Sequence, residues 1–234
     1  MKVSLVIPAY NESAIIRETL AEAEEYMVRM FADYEIIVVN DGSTDDTAAR
    51  LAELASDRLF ALGYEENRGK GYAVRTGVLA ATGDVVVCTD ADLAYGLEVI
   101  GAAVELLGSS GAQLVAGSRR MRGGDYGEYP FMRKVASQGF SIVRYLASGL
   151  PYDTQCGFKC FAAATARELF ELCGEESFAF DFEIMLWARR RGVEVAQMPV
   201  RIVNHRSSNV RLVRDSVRTL RAIFAIKRRM KGIR

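Results

Sequence analysis

The chain has little of several things. Its 234 residues include one histidine, one tryptophan, four prolines and four cysteines. Cys88, Cys156, Cys160 and Cys173 contain no CxxC pair, so a zinc site is not expected and the four read as reduced thiols. Long apolar runs are missing too. The longest uncharged stretch, Leu106 to Ser118, is thirteen residues, short of the roughly 18 or more needed to span a bilayer. The opening Met1-Lys2-Val3-Ser4-Leu5-Val6-Ile7-Pro8 is too short an apolar run for a signal peptide, and is expected to be the first strand. No Pro- or Ser-rich linker divides the chain and no internal repeat is visible, so residues 1–209 are expected to form one domain.

Net charge is missing as well: 30 Lys and Arg balance 30 Asp and Glu. Whole-chain charge therefore gives no argument for a nucleic-acid partner, and none is expected. The zero hides an asymmetry. Residues 201–234 carry eleven Lys or Arg against the single acid Asp215, leaving 19 basic and 29 acidic side chains in residues 1–200. An acidic body is followed by a tail with a formal charge of +10. Half of the residues are apolar and 26% charged, which suits a compact domain with a substantial core and excludes disorder.

Short β-branched runs alternate with helical patterns, the rhythm of a mainly parallel sheet covered by helices. Strands are expected at Val3–Ile7, Glu35–Asn40, Arg58–Gly63, Asp84–Thr89 and Gln113–Gly117, with helices at about 13–30, 44–55, 70–81 and 97–107. Ser43, Thr44, Asp45 and Asp46 offer N-cap side chains to the second helix. Beyond Gly117 come an Arg-, Gly- and Tyr-rich loop, a helix at about 131–148 and a strand at Gly157–Phe161. Helices at about 163–173 and 181–191 and a strand at Glu194–Met198 complete the body.

In an open α/β sheet ligands gather at the carboxyl ends of parallel strands. Those positions are unusually polar here: Pro8-Ala9-Tyr10-Asn11-Glu12, Asn40-Asp41-Gly42-Ser43, Asn67-Arg68-Gly69-Lys70-Gly71, Asp90-Ala91-Asp92 and Gly117-Ser118-Arg119. One such loop is ordinary; five at one sheet edge favour a site. Asp90 and Asp92 provide hard oxygen ligands for Mg²⁺ or Mn²⁺. Arg119 presents a guanidinium fork suited to phosphate. Cys156 has no evident base partner and reads as a small buried hydrophobe.

Together with Asp153-Thr154-Gln155-Cys156-Gly157-Phe158-Lys159 and Phe180-Asp181-Phe182-Glu183, these motifs resemble the family 2 nucleotide-sugar glycosyltransferases, of GT-A fold, over almost the entire chain. They look most like the branch that transfers glucose from UDP-glucose to dolichyl phosphate, with the dolichyl-phosphate mannose synthases next. The resemblance implies that Pro8, Tyr10 and Glu12 contact the nucleoside and that Asp41 bonds the base edge. Lys70, Asp90, Ala91 and Asp92 belong to the nucleotide side, with Asp90 and Asp92 holding the metal and acting with Arg119 in catalysis. Arg133, Gln155, Gly157, Asp181 and Arg206 fall on the acceptor and sugar side. A helix-start role for Asp181 and a first-turn role for Glu12 remain equally open.

The implied reaction is a single in-line displacement that inverts the anomeric carbon. A polyprenyl phosphate is already anionic and needs no base, so the lone His205 is dispensable; a saccharide hydroxyl acceptor would need one, with Asp181 or Glu183 the candidates. A Ser-Lys pair common in the family is replaced here by Ser208-Asn209, leaving Arg206 or Arg211 to supply that charge. Residues 210–234 read as a basic amphipathic helix, with Val213, Val217, Leu220 and Phe224 as its stripe. Part of that stripe is expected to pack. The arginines, with Lys227, Arg228, Arg229, Lys231 and Arg234, are expected to face anionic headgroups, placing a cytoplasmic protein peripherally on the cytoplasmic membrane face. From another class, a nucleotide-sugar sensor would keep the fold but has no need of an intact Asp90/Asp92 pair.

Overall fold

The computed structural model describes residues 1–121, 153–154, 156–204 and 222–230. Its strands are β1 (Lys2–Ala9), β2 (Asp33–Asp41), β3 (Leu59–Tyr64), β4 (Val85–Cys88), β5 (Leu114–Ser118), β6 (Lys159–Ala162) and β7 (Val195–Pro199). The helices are α1 (Ile16–Met30), α2 (Thr47–Leu54), α3 (Lys70–Ala80), α4 (Glu98–Ser110), α5 (Ala163–Leu172), α6 (Phe180–Arg191) and α7 over 222–230. Among the described residues the strands form a seven-stranded sheet ordered β3-β2-β1-β4-β6-β5-β7. The pairings β3-β2, β2-β1, β1-β4 and β5-β7 are parallel, whereas β6 runs antiparallel to both β4 and β5.

Val- and Ile-rich strands suit this sheet because both of its faces are covered. Alternate side chains divide between two layers. Val3, Leu5 and Ile7 of β1, Ile36 and Val38 of β2, and Val85 and Val87 of β4 join Ile16, Leu20 and Met27 of α1 and Ile100 and Ala103 of α4. On the other face Val6, Ile37, Val39 and Val86 join Ala73, Val74 and Val78 of α3, Leu169 and Phe170 of α5, and Phe182 and Ile184 of α6. Edge strand β3, bounded on one side by solvent, exposes Phe60 and Ala61.

Helix α7 belongs to that second layer. Its buried side chains are Ile223, Ile226 and Met230, while Phe224 is 62% exposed, so the packing stripe is one position out from the expected one. Arg229, expected to face headgroups, donates instead to the buried Glu183 at 2.6 Å, and Arg190 of α6 donates to the Met230 carbonyl. The rest of the expected tail, including Val213, Val217, Leu220, Arg211, Lys231 and Arg234, lies outside the described residues.

The N-terminal ends of the strands are stitched by one carboxylate. Glu35, 3% exposed, accepts from Lys2 Nζ at 2.8 Å, Ser4 Oγ at 2.6 Å and Thr82 N at 2.7 Å. Burial opposes its charge, but these donors outweigh burial and hold its pKa down at about 2.

Candidate active site

Strand order reverses at β1: β2 and β3 lie on one side, β4 on the other. The crevice beyond the carboxyl ends of β1 and β4 is thus the switch point where an open sheet receives ligands. Pro8 to Glu12 span the end of β1 and the residues just beyond it, and Asp90 to Asp92 follow β4 beside it. The described non-glycine residues with positive φ, Asn11 at 55° and Leu93 at 48°, both lie here, so the backbone strain is stored beside the crevice.

The segment after β1 is tied to the loop after β2. Asn11 N donates to Ser43 Oγ, Glu12 N to Thr47 Oγ1 and Ser13 N to Asp45 Oδ2, each at 2.9–3.1 Å, and Asn11 Oδ1 accepts from Thr44 N. Asp46 makes no side-chain cap; Asp45 accepts from Thr47 N at 3.0 Å and serves both loops at once. Although burial opposes its charge, the donors Ser13 and Thr47 hold the Asp45 carboxyl at about 2. Tyr10, beside this frame in the chain, is 44% exposed. Asn11 and Asp45 are not singled out by the sequence as site residues, because their role depends on two loops 32–35 residues apart meeting.

Asp41, expected at a base edge, is 3% exposed and turned toward its own protein. Its carboxylate accepts from Tyr64 Oη at 2.7 Å, Asn67 Nδ2 at 2.9 Å, Arg68 N at 2.9 Å and Gly69 N at 3.0 Å. These donors fill most of its accepting capacity and fix the turn into α3.

Asp90 and Asp92 leave β4 on a turn closed by Leu93 N donating to the Asp90 carbonyl at 3.0 Å. The intervening Ala91 is buried, its carbonyl accepting from Thr19 Oγ1 at 2.7 Å, so the two aspartates straddle an anchored residue. Asp92 Oδ1 accepts from Ala94 N at 3.1 Å, and Asn204 Nδ2 donates to the Leu93 carbonyl at 3.0 Å. Among the described residues no third His, Cys, Asp or Glu completes a metal-holding group. Two partly exposed carboxylates nevertheless fit a hard divalent cation whose remaining ligands are diphosphate oxygens and water.

Lys70, the first residue of α3, ion-pairs with Asp90. Gly157 closes against the same carboxylate from the other side: a Cβ there would lie 3.0 Å from Asp90 Cγ and closer still to Oδ2. The expected close approach at Gly157 is therefore made by Asp90 itself.

Arg119 does not present its fork outward. Its Nε and Nη2 donate to Asp153 Oδ2 and Oδ1 at 3.0 and 3.1 Å, pinning the segment that carries Gly157. Lys159 pairs with Asp181 and donates to the Cys156 carbonyl at 2.7 Å. Asp181 is 5% exposed; burial pushes its pKa up while Lys159 and Lys70 pull it down. Glu183 is fully buried and accepts from Glu175 N at 2.8 Å, Gly174 N at 3.2 Å and Trp187 Nε1 at 3.3 Å as well as from Arg229. These surroundings give Asp181 and Glu183 partners within the protein. Cys156 is fully buried, as expected for a packing residue. Arg133, Gln155, His205 and Arg206 lie outside the described residues.

Residues 4–171 match the model of glycosyl transferase family 2. The chain belongs to that family. Among its relatives, a dolichyl-phosphate beta-glucosyltransferase of Trichomonas vaginalis is 34% identical over 212 residues, 85% of this chain and 64% of the relative. A second from that organism is 35% identical over 211 residues, 84% and 62%. One from Dictyostelium discoideum is 30% identical over 237 residues, 92% and 72%. The chain thus spans less than two thirds of the two Trichomonas relatives. Among solved structures, mannosyl-3-phosphoglycerate synthase from Rubrobacter xylanophilus superposes with a TM-score of 0.70 at 20% identity, over 99% of this chain and 75% of that one. Glucosyl-3-phosphoglycerate synthase from Mycobacterium tuberculosis, in complex with Mn²⁺, UDP-glucose and phosphoglyceric acid, superposes at 0.68 and 21% identity, over 96% and 79%. At these identities the likeness is one of fold, and the expected mixed, mainly parallel GT-A sheet is the one observed. Asp90-Ala91-Asp92 and Pro8 to Glu12 follow the adjacent parallel strands β4 and β1 at its switch point.

Proposed function

We propose that this chain transfers glucose from UDP-glucose to the phosphate of dolichol or a related polyprenol, at the cytoplasmic surface of a membrane. The observation that carries the reading is the Asp90/Asp92 pair, set against Lys70 and Gly157 at the β1/β4 switch point, in a chain 30–35% identical to dolichyl-phosphate beta-glucosyltransferases. The nucleoside would lie along Pro8, Tyr10 and Glu12. Asp90 and Asp92 would hold Mg²⁺ or Mn²⁺, which when bound supplies positive charge to the departing diphosphate. Lys70 adds a cation on the same side.

An acceptor phosphate brings its own negative oxygen, so the protein has to orient it and exclude water rather than remove a proton. The buried pairings of Asp181 and Glu183 are consistent with a reaction that requires no base. Arg119 acts in this scheme as a positioning residue through Asp153, while Arg133, Gln155 and Arg206 are the candidates for direct acceptor contact. Among the described residues no helix is long and apolar enough to cross a membrane. Attachment through the basic tail fits a lipid-borne acceptor.

Purified protein with Mn²⁺, a panel including UDP-glucose and GDP-mannose, and dolichyl phosphate tests the reading by extraction of lipid-linked sugar. Glucosyl lipid formed from UDP-glucose is the expected product. Asp92→Ala should reduce it by roughly 10³-fold or more, the scale of losing a group that stabilises transition-state charge. Preference for another donor would overturn the sugar assignment, and product on a saccharide without lipid phosphate would overturn the acceptor.

A further inference from the structure

We infer that Lys70 is an internal counter-ion of Asp90 that makes metal binding at Asp90/Asp92 conditional on the donor's diphosphate. This rests on the metal and nucleotide roles proposed above. The Lys70 side chain is 18% exposed and that of Asp90 29%, so the pair is shielded well beyond an ordinary surface contact. A divalent cation approaching Asp90 meets an ammonium already on its Oδ1.

Lys70 is held there by its backbone. Gly69, at φ +106°, donates its N–H to both oxygens of Asp41. The two amides after Lys70, of Gly71 and Tyr72, donate to the Glu176 carbonyl at 2.8 and 3.2 Å. Helix α3 therefore starts at a fixed point, and only the lysine stem can move. Asp181 also attracts Lys70, but it is already paired with Lys159, which is anchored in turn on Cys156. Among the described residues Asp90 is the one carboxylate in an ion pair with Lys70.

A metal ion alone must separate this pair and leave the ammonium beside a like charge. The donor's diphosphate changes the balance, because its oxygens give Lys70 a new partner as the metal takes Asp90. Metal and nucleotide then bind cooperatively by more than their direct contact provides, and linkage makes the effect equal in both directions.

The test measures free Mn²⁺ by electron paramagnetic resonance during titration of the full chain, with and without saturating UDP. Circular dichroism checks the fold of each variant. Lys70→Met should bind Mn²⁺ alone roughly tenfold more tightly, and the gain from adding UDP should shrink by about the same factor, within the usual range of site-to-site coupling. Lys70→Gln, which keeps a hydrogen bond to Asp90 without the charge, provides the same comparison if the methionine variant does not fold. Lys70→Arg should restore wild-type behaviour. Arg68→Met removes a neighbouring cation that pairs with Glu176 and should leave the Mn²⁺ affinity unchanged. Unaltered Mn²⁺ affinity in both neutral Lys70 variants, an unchanged gain from UDP, or equal tightening by Arg68→Met would overturn the inference. Failure of the underlying metal assignment looks different: Asp92→Ala would then bind Mn²⁺ as well as wild type does.

Discussion

Asp181 and Glu183 are two residues apart, and both are candidates for a base from the sequence; in the structure each has partners of its own. Asp181 lies against Lys159, and Glu183 is wrapped by two amides, an indole N–H and a guanidinium. Residue type gave the right neighbourhood but not the direction each group faces. The same holds for Asp41, which accepts from Gly69 N, and for Arg119, which donates to Asp153. Gly157 is the residue with the sharpest consequence. In Gly157→Ala the new methyl would displace the Asp90 carboxylate, since its nearest neighbours are all atoms of that group. Mn²⁺ affinity should fall by about tenfold or more, while the melting temperature changes little because the flexible Asp90 side chain can move aside. Titration calorimetry with Mn²⁺ and a thermal melt check both halves; undiminished Mn²⁺ binding would contradict the close packing.

The elements were largely legible. β1, β2 and β4 are Val- and Ile-rich runs, and a buried strand has few other compositions. The structure starts α1 at Ile16 and α2 at Thr47, later than the patterns indicated, because the intervening polar residues join the two loops to each other. The docking of α7 was not legible as drawn: the apolar pattern of 213–224 points to Phe224, whereas contact with α6 selects Ile223, Ile226 and Met230. Glu35 joins elements in a way that can be titrated. Its folded pKa, about 2, lies below its ordinary 4.5, so its contribution is fully present above pH 4.5 and is lost as pH falls toward 2. Urea unfolding should therefore show Glu35→Gln less stable by about 2 kcal/mol at pH 7 and a flatter loss of stability between pH 4.5 and 2. Equal slopes for variant and wild type in that window would show that Glu35 does not carry the effect.

At the scale of the whole molecule, zero net charge conceals an acidic body and a basic end. Helix α7 is part of the domain core, so deleting the tail would disturb the fold as well as the proposed membrane attachment. A surface change separates them. Phe224 and Arg228 are exposed on α7, four residues apart on one side of the helix. Phe224→Ser with Arg228→Glu should weaken flotation with phosphatidylserine vesicles by roughly tenfold, from a lost apolar contact and reversal of a charge worth about 1 kcal/mol near an anionic surface. Wild-type binding should fall as salt is raised. Flotation indifferent both to the double substitution and to salt would remove α7 from the membrane contact.

The sequence by itself determined the elements, the sheet edge at which polar loops collect, and the carboxylate pair Asp90 and Asp92, because each is written in local periodicity or in residues two or three apart. Tertiary structure alone decided which charges face a ligand and which face the protein. Lys70 on Asp90, Arg119 on Asp153, Lys159 on Asp181 and Arg229 on Glu183 join residues 20, 34, 22 and 46 positions apart. A buried charge must find a partner, but the identity of that partner depends on how separate loops and helices meet around the sheet.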